Sequence, residues 1–385
     1  MGPPLLRAGK GALLSFRAVV SGVSAAMQQL QKVLVTRRIP QEGLRVLTEA
    51  AVCDIKQWNS DEPIPRAELL KGVVGAHGLL CLLSDKVDKE VLDEAGPDLK
   101  VISTLSVGFD HLALEDIKRR GIRVGYTPDV LTDATAELSV ALLLATSRRL
   151  PEAVQEVKNG GWRSWAPEWM CGYGLSESTI GIIGLGRIGQ AIGRRLKPFG
   201  VRRFLYSGRQ PRPECTTELQ AEYVPLDILA EESDFVIVSC SLNAETEGIC
   251  NKHFFNKMKT TAVFVNTSRG AVVNQEDLYQ ALVSGQIAAA GLDVTVPEPL
   301  PMDHPLLTLK NCVLVGSPFL LHSAAFSNCP PAAGRVNYLR PSPGSANHKS
   351  HRVNGLTDTS CEYHHLPVLP IAGTINCMYH NLHVL

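Results

Sequence analysis

The chain has 385 residues, 45% hydrophobic and 20% charged, enough for two or three domains each burying its own core, which excludes a disordered or collagen-like polymer. Its 38 Lys and Arg cancel its 38 Asp and Glu, so no global field draws in nucleic acid or an acidic membrane. No apolar run approaches the roughly 18 residues of a bilayer-spanning helix, and the ten cysteines lie scattered without a C-x-x-C pair, the usage of a reducing intracellular compartment.

Residues 1–31 read as an extension. The first acidic residue is Glu42, and Arg7, Lys10, Arg17 and Lys32 are set among Ala, Ser, Leu and Val, the composition of a mitochondrial transit peptide. A second start at Met27 would remove most of it and leave a cytosolic protein. Cytoplasmic location is the first expectation and mitochondrial targeting the alternative.

Across 32–130, apolar runs at 32–35, 52–55, 79–82, 101–103 and 122–124 alternate with amphipathic segments starting near Gln41, Pro65, Asp88 and Leu114. Such alternation predicts a wound parallel sheet. A helix is then predicted over 132–149, with Thr132 or Asp133 as its cap, Arg148 and Arg149 at its negative end, and Pro151 as its stop. Across 131–315 a second series follows, with strands at 179–183, 203–206, 235–238, 262–266, 288–292 and 312–315. Six strands are the count of a full Rossmann sheet. The fold class is therefore α/β, divided near Val130.

The run Gly184-Leu185-Gly186-Arg187-Ile188-Gly189 directly follows an apolar strand and opens a helix whose Ile188, Ile192 and Leu196 share a face. In that context Gly184 suits a tight turn, Gly186 lets backbone approach a pyrophosphate, and Gly189 lets helix pack on strand. An NAD site wants an acid at the end of the next strand. Here that stretch reads Tyr206-Ser207-Gly208-Arg209-Gln210-Pro211-Arg212, with no carboxylate before Glu214. Ser207, Arg209 and Arg212 offer donors and positive charge to a 2′-phosphate, so NADPH is expected and NADH is the weaker alternative. Ligands gather at the carboxyl ends of such strands. The fourth strand ends in Arg269, able to clamp a carboxylate. The fifth ends in Asp293, followed by Glu298 between Pro297 and Pro299.

These motifs, with 33–40, 61–65, 103–110, 124–138, 159–174, 208–213 and 291–301, make the sequence similar to the D-2-hydroxyacid dehydrogenase family over roughly 32–314. The resemblance implies a flavodoxin-like substrate domain and a Rossmann NAD(P)-binding domain. It implies hydride delivery from NADPH to a small 2-oxo acid, glyoxylate to glycolate or hydroxypyruvate to D-glycerate. By position, it implies that Arg269 holds the substrate carboxylate and polarises the oxo group, while N–H groups of Val107 and Gly108 grip that carboxylate from the other domain. Glu298 would orient a proton-donating histidine, and Asp293, Ser241 and Thr267 would contact the cofactor beside Gly184, Gly186, Arg187, Ile188, Gly189 and Gln210. Trp165, clustered with Trp162 and Trp169, would reach the partner subunit's cleft in a homodimer built on the helix over 132–149 and this loop.

The family's histidine has no match here: alignment from Asn311 puts Ser317 in its place, and serine does not titrate near neutrality. His322 lies five residues later. The segment 316–385 carries seven of the eleven histidines and repeated prolines, with no helical or alternating period, and reads as an irregular tail. Two readings follow, an active reductase and a catalytically silent NAD(P)-binding or regulatory isoform. Cys361-x-x-His364 and Cys377-x-x-His380 have the spacing of zinc half-sites but lack the framing glycines or helix, so no metal is expected.

Overall fold

The computed structural model describes residues 30–316, apart from 50–52, 129 and 214–217. Position 317, the tail and the extension preceding residue 30 lie outside the described residues, as do His322 and the paired Cys and His of the tail. The first sheet contains β1 (Gln31–Val35), β2 (Cys53–Gln57), β3 (Gly78–Cys81), β4 (Val101–Thr104) and β5 (Arg123–Gly125) in the order β2-β1-β3-β4-β5, every pair parallel. Helices α1 (Gln41–Glu49), α2 (Arg66–Val73), α3 (Lys89–Ala95) and α4 (Leu114–Arg119) connect them. β3 and β4 are buried along their whole length because helices cover both faces, the reason their sequences are continuously apolar or small. Successive residues of β1 enter different cores: Val33 and Val35 join Leu47 and Leu80, while Leu34 joins Leu79, Ile102 and Val124. At the edge, β2 alternates and exposes Asp54 and Lys56, charges that discourage pairing with another chain.

The second sheet contains β6 (Thr179–Ile183), β7 (Arg203–Ser207), β8 (Glu222–Tyr223), β9 (Phe235–Val238), β10 (Val263–Asn266), β11 (Ala289–Leu292) and β12 (Cys312–Leu314) in the order β12-β11-β10-β9-β6-β7-β8. This is seven strands rather than the six expected. The extra one, β8, is two exposed residues long and leaves no periodic signal in the sequence. Arg203 holds it by donating from Nε and Nη2 to the Glu222 carboxylate at 2.8 and 2.7 Å. The strands ending at Asn266 and Leu292 are thus fifth and sixth in this sheet. Order reverses between β6 and β9, which sets a crevice at their carboxyl ends.

Helix α5 (Thr132–Ser147) packs on α7 (Arg187–Leu196), β10 and β11, so it belongs with the second sheet. It is two residues shorter than expected and its N-cap, Leu131, makes no side-chain cap. Asp133 instead accepts from Arg195 Nη2 at 2.8 Å, and Glu137 from the same nitrogen at 3.2 Å. Pro151 does not stop this helix. Arg149 breaks it with φ 54°, and Pro151 occupies the first turn of α6 (Leu150–Lys158), where a missing N–H costs nothing. The remaining α-helices among the described residues are α8 (Leu226–Glu232), α9 (Lys252–Lys257) and α10 (Gln275–Val283). Phe254 and Phe255 of α9 meet Phe264 of β10 edge to face, with ring centroids 5.4–6.3 Å apart. Among the described residues no helix is long and apolar enough to cross a membrane.

Candidate active site

The glycine turn sits at the order reversal. Gly184 has φ 95°, and a Cβ there would lie 2.7 Å from the backbone of Cys240 after β9, so two strand ends approach through it. The turn is fastened by Gly184 N–H donating to Ser207 O at 2.9 Å and Ser239 Oγ donating to Gly184 O at 2.7 Å. At Gly189 a Cβ would stand 2.4 Å from Gly184 O, so only glycine lets α7 start this close to β6. Gly186 is different: nothing lies within 4 Å of its built Cβ, and it caps α7. Open space before a helix N-terminus, with its free N–H donors and positive dipole end, is what a pyrophosphate requires. These residues fit a dinucleotide, with Arg187 and Ile188 in the first helical turn. Burial pushes the neighbouring Cys240 thiol up to about 11, so it is no nucleophile at neutral pH.

Ser207 closes β7 and is buried, while Arg209, Gln210 and Arg212 stand exposed on the following loop. Two tyrosines that sequence reasoning did not select shape that loop. Tyr206 Oη accepts from Arg212 N–H at 2.9 Å, and Tyr223 Oη donates to Gly208 O at 3.0 Å, their rings 5.4 Å apart. Tyr206 reads as an ordinary strand residue and Tyr223 sits on the unpredicted β8, so neither carried a signal. Ser241 is exposed in the loop after β9. Thr267 is buried, and its hydroxyl is turned to α5: Ser139 Oγ donates to Thr135 O, so Thr267 Oγ1 must donate to Ser139 Oγ, 2.7 Å away.

Arg269 is presented by a turn that Asn266 organises. The buried Asn266 amide donates to Arg269 O at 2.9 Å and accepts from Ser268 N–H at 3.0 Å, while Arg269 N–H donates to Ser268 Oγ at 2.6 Å. The next residue, Gly270, lies so close to the 293–298 segment that a Cβ would come within 2.2 Å of Thr295 O. Asp293 is buried and donates its N–H to Asn266 O at 3.0 Å. Glu298 is exposed and accepts from Thr295 N–H at 2.9 Å, and the loop is clamped by Gln275, whose amide exchanges two 2.7 Å bonds with Val296. Gln275 escaped the sequence reading because only the tertiary fold brings α10 to this loop.

The two sheets meet at Arg269. Its Nε donates to Asp110 at 3.1 and 3.3 Å and its Nη1 to Ser268 O at 2.8 Å. Both restraints aim Nη2 at Gly108, whose built Cβ would overlap it at 2.0 Å. The N–H groups of Val107 and Gly108 donate to no acceptor among the described residues. A guanidinium beside free backbone donors can bind a carboxylate from two sides. Asp110 was not selected from sequence. His111, next to it, is held below the usual histidine range by burial, with the Arg269 charge adding to this and Asp110 and Asp85 opposing. Trp165 is 85% exposed on the loop after α6, so it does not wall this site within one chain. Among the described residues no group of three His, Cys, Asp or Glu could hold a metal ion.

Two wound parallel sheets, a dinucleotide turn and an arginine joining the sheets beside free backbone donors define the class, a two-domain nicotinamide-dependent dehydrogenase. The NAD-binding domain of the D-isomer specific 2-hydroxyacid dehydrogenases matches residues 140–316. Glyoxylate reductase/hydroxypyruvate reductase of Mus musculus is 72% identical over 287 residues, 74% of this chain and 88% of that one, and the Homo sapiens protein of the same name gives the same figures. The NADPH-dependent glyoxylate/hydroxypyruvate reductase of Sinorhizobium meliloti, solved with NADP and malonate, has a TM-score of 0.64 at 31% identity, covering 77% of this chain and 88% of that one. This chain belongs to the D-isomer specific 2-hydroxyacid dehydrogenase family.

Proposed function

We propose that this chain binds NADPH and reduces small 2-oxo acids, glyoxylate to glycolate and hydroxypyruvate to D-glycerate. The observation that carries the reading is the placement of the Arg269 guanidinium against the Gly108 backbone, on a scaffold 72% identical to two glyoxylate reductase/hydroxypyruvate reductases. Arg269 and the N–H groups of Val107 and Gly108 hold the substrate carboxylate, and the Arg269 charge polarises the oxo group. Gly184, Gly186, Arg187, Ile188 and Gly189 would hold the pyrophosphate of the dinucleotide, whose reduced nicotinamide would supply the hydride. Ser207, Arg209, Gln210 and Arg212, with no carboxylate on that loop, favour a 2′-phosphate and hence NADPH over NADH. Asp293, Ser241 and Thr267 border the cofactor, Thr267 through its backbone because its hydroxyl is committed to Ser139.

Residues 32–130 form the substrate-binding part and 131–315 the dinucleotide-binding part. Glu298 would position a general acid, but Ser317 stands where the family has its imidazole, and loss of general-acid help lowers turnover about 10²–10⁴-fold. That substitution also supports a second reading, an isoform that binds NAD(P)H without turning over. NADPH fluorescence followed by its absorbance decay with hydroxypyruvate separates them. Decay abolished in Arg269→Gln supports the reductase; binding without decay supports the silent isoform; absence of NADPH binding overturns both. A homodimer is proposed through α6 and the Trp162, Trp165 and Trp169 loop, and a cytoplasmic location through the free thiols of Cys53, Cys81, Cys171, Cys240, Cys250 and Cys312.

A further inference from the structure

The loop after β4 contains a chain of hydrogen bonds whose direction is fixed by counting protons. Ser106 Oγ lies 2.6 Å from Gly108 O, and a carbonyl only accepts, so the single Ser106 hydroxyl proton points there. Thr104 Oγ1 is 2.8 Å from Ser106 Oγ and must therefore donate to it. With the Thr104 proton spent, the contact of 2.9 Å between Thr104 Oγ1 and His111 Nε2 requires that the histidine donate. His111 thus carries its proton on Nε2, and Nδ1 is a bare acceptor, buried and without a partner among the described residues. Thr104 and Ser106 are themselves buried, so each broken link would leave a desolvated polar group.

We propose that His111, Thr104 and Ser106 are positioning residues for 2-oxo acid binding: a one-way relay pulls the Gly108 carbonyl inward and so turns the Val107 and Gly108 N–H groups towards Arg269. The proposal rests on the carboxylate-binding reading given above. The bond from the Ser106 side chain to the Gly108 carbonyl closes a ring through the 106–107 and 107–108 peptide units, and because each unit is planar this restrains the two planes that carry the Val107 and Gly108 N–H groups. The same loop is gripped from the second sheet by Arg269 on Asp110, so relay and ion pair restrain it together. Burial lowers the histidine's affinity for a second proton, which keeps the imidazole neutral and the relay in one direction at neutral pH.

The test uses the full-length chain saturated with NADPH and oxalate as an unreactive dicarboxylate probe. In the ¹⁵N-histidine-labelled protein, the signals lost in His111→Gln identify this ring, and the expected pattern is a protonated Nε2 and an unprotonated Nδ1. Ser106→Ala and His111→Leu are expected to weaken oxalate binding roughly three- to tenfold, the loss of about one oriented hydrogen bond. NADPH affinity should stay unchanged. His111→Gln, whose amide N–H can still donate to Thr104, is expected to restore part of the loss. A proton on Nδ1, or oxalate binding that weakens in Arg269→Gln yet is unchanged in Ser106→Ala, overturns the relay and leaves the carboxylate site standing. Oxalate binding indifferent to Arg269→Gln as well overturns both.

Discussion

Arg269 is held by two acceptors, Asp110 and the Ser268 carbonyl, and each removes a degree of freedom from a long side chain that would otherwise explore many rotamers. Its partner Gly108 has no room for a side chain, since a methyl group would fall 2.0 Å from Nη2. Gly108→Ala is expected to push the guanidinium aside and raise the Kd for oxalate at least about tenfold, the scale of one misplaced charge-assisted hydrogen bond. Isothermal titration of the NADPH-loaded chain checks it, and an unchanged Kd would refute the assigned geometry. His111 gives a pH signature of its own. Its folded pKa lies below the value of about 6.5 for a free histidine, so as pH falls through that value the unfolded chain takes up the proton first. Stability contributed at this site is present above pH 6.5 or so and declines below it, down to the depressed folded pKa. The stability advantage of wild type over His111→Gln should therefore shrink in urea titrations as pH is lowered from about 7.5 to about 5.

At the level of elements, the glycine turn separates structural from functional demand. Gly184→Ala places a side chain in left-handed backbone and against Cys240, and Gly189→Ala drives one into Gly184 O. Either should cost at least about 2 kcal/mol, since the left-handed region alone costs roughly 1–2 and a backbone clash cannot relax cheaply. Gly186→Ala meets nothing, so its melting midpoint should stay near wild type while NADPH binding weakens at least about tenfold, because the methyl group occupies the space a pyrophosphate needs. Equal melting midpoints for all three variants would contradict this division. The glycine pattern itself was legible in the sequence because all three roles are local. The Gln275 clamp, the Tyr206 and Tyr223 support and the two-residue β8 were not. The Gln275 and Tyr223 partners lie 21 and 15 residues away, the Tyr206 bond to Arg212 spans an irregular loop, and none repeats with a helical or strand period.

For the molecule as a whole, α6 is the element whose surroundings are incomplete. It has no buried residue, and Leu150, Val154 and Val157 lie four and three residues apart along one stripe, about half exposed, next to a loop bearing Trp162, Trp165 and Trp169. A surface this apolar is expected to bury itself against a second copy. Analytical ultracentrifugation should show a dimer for wild type and association weakened on the order of tenfold or more for Val154→Asp, which leaves a charge unpaired in the interface. A monomeric wild type would count against it.

Two wound sheets, their boundaries to within a residue or two, and the dinucleotide turn follow from the sequence alone, because buried parallel strands must be continuously apolar and a pyrophosphate turn needs its glycines at fixed spacing. Arg269 and Glu298 could also be picked out, as charged residues just past strand ends. What the tertiary structure decided is which groups meet. Asp110 on Arg269, Gly270 under Thr295 and the Thr267 hydroxyl on Ser139 all join residues whose contact is set by how strands are ordered and how one sheet docks on the other. Those are long-range relations, and local pattern carries no record of them.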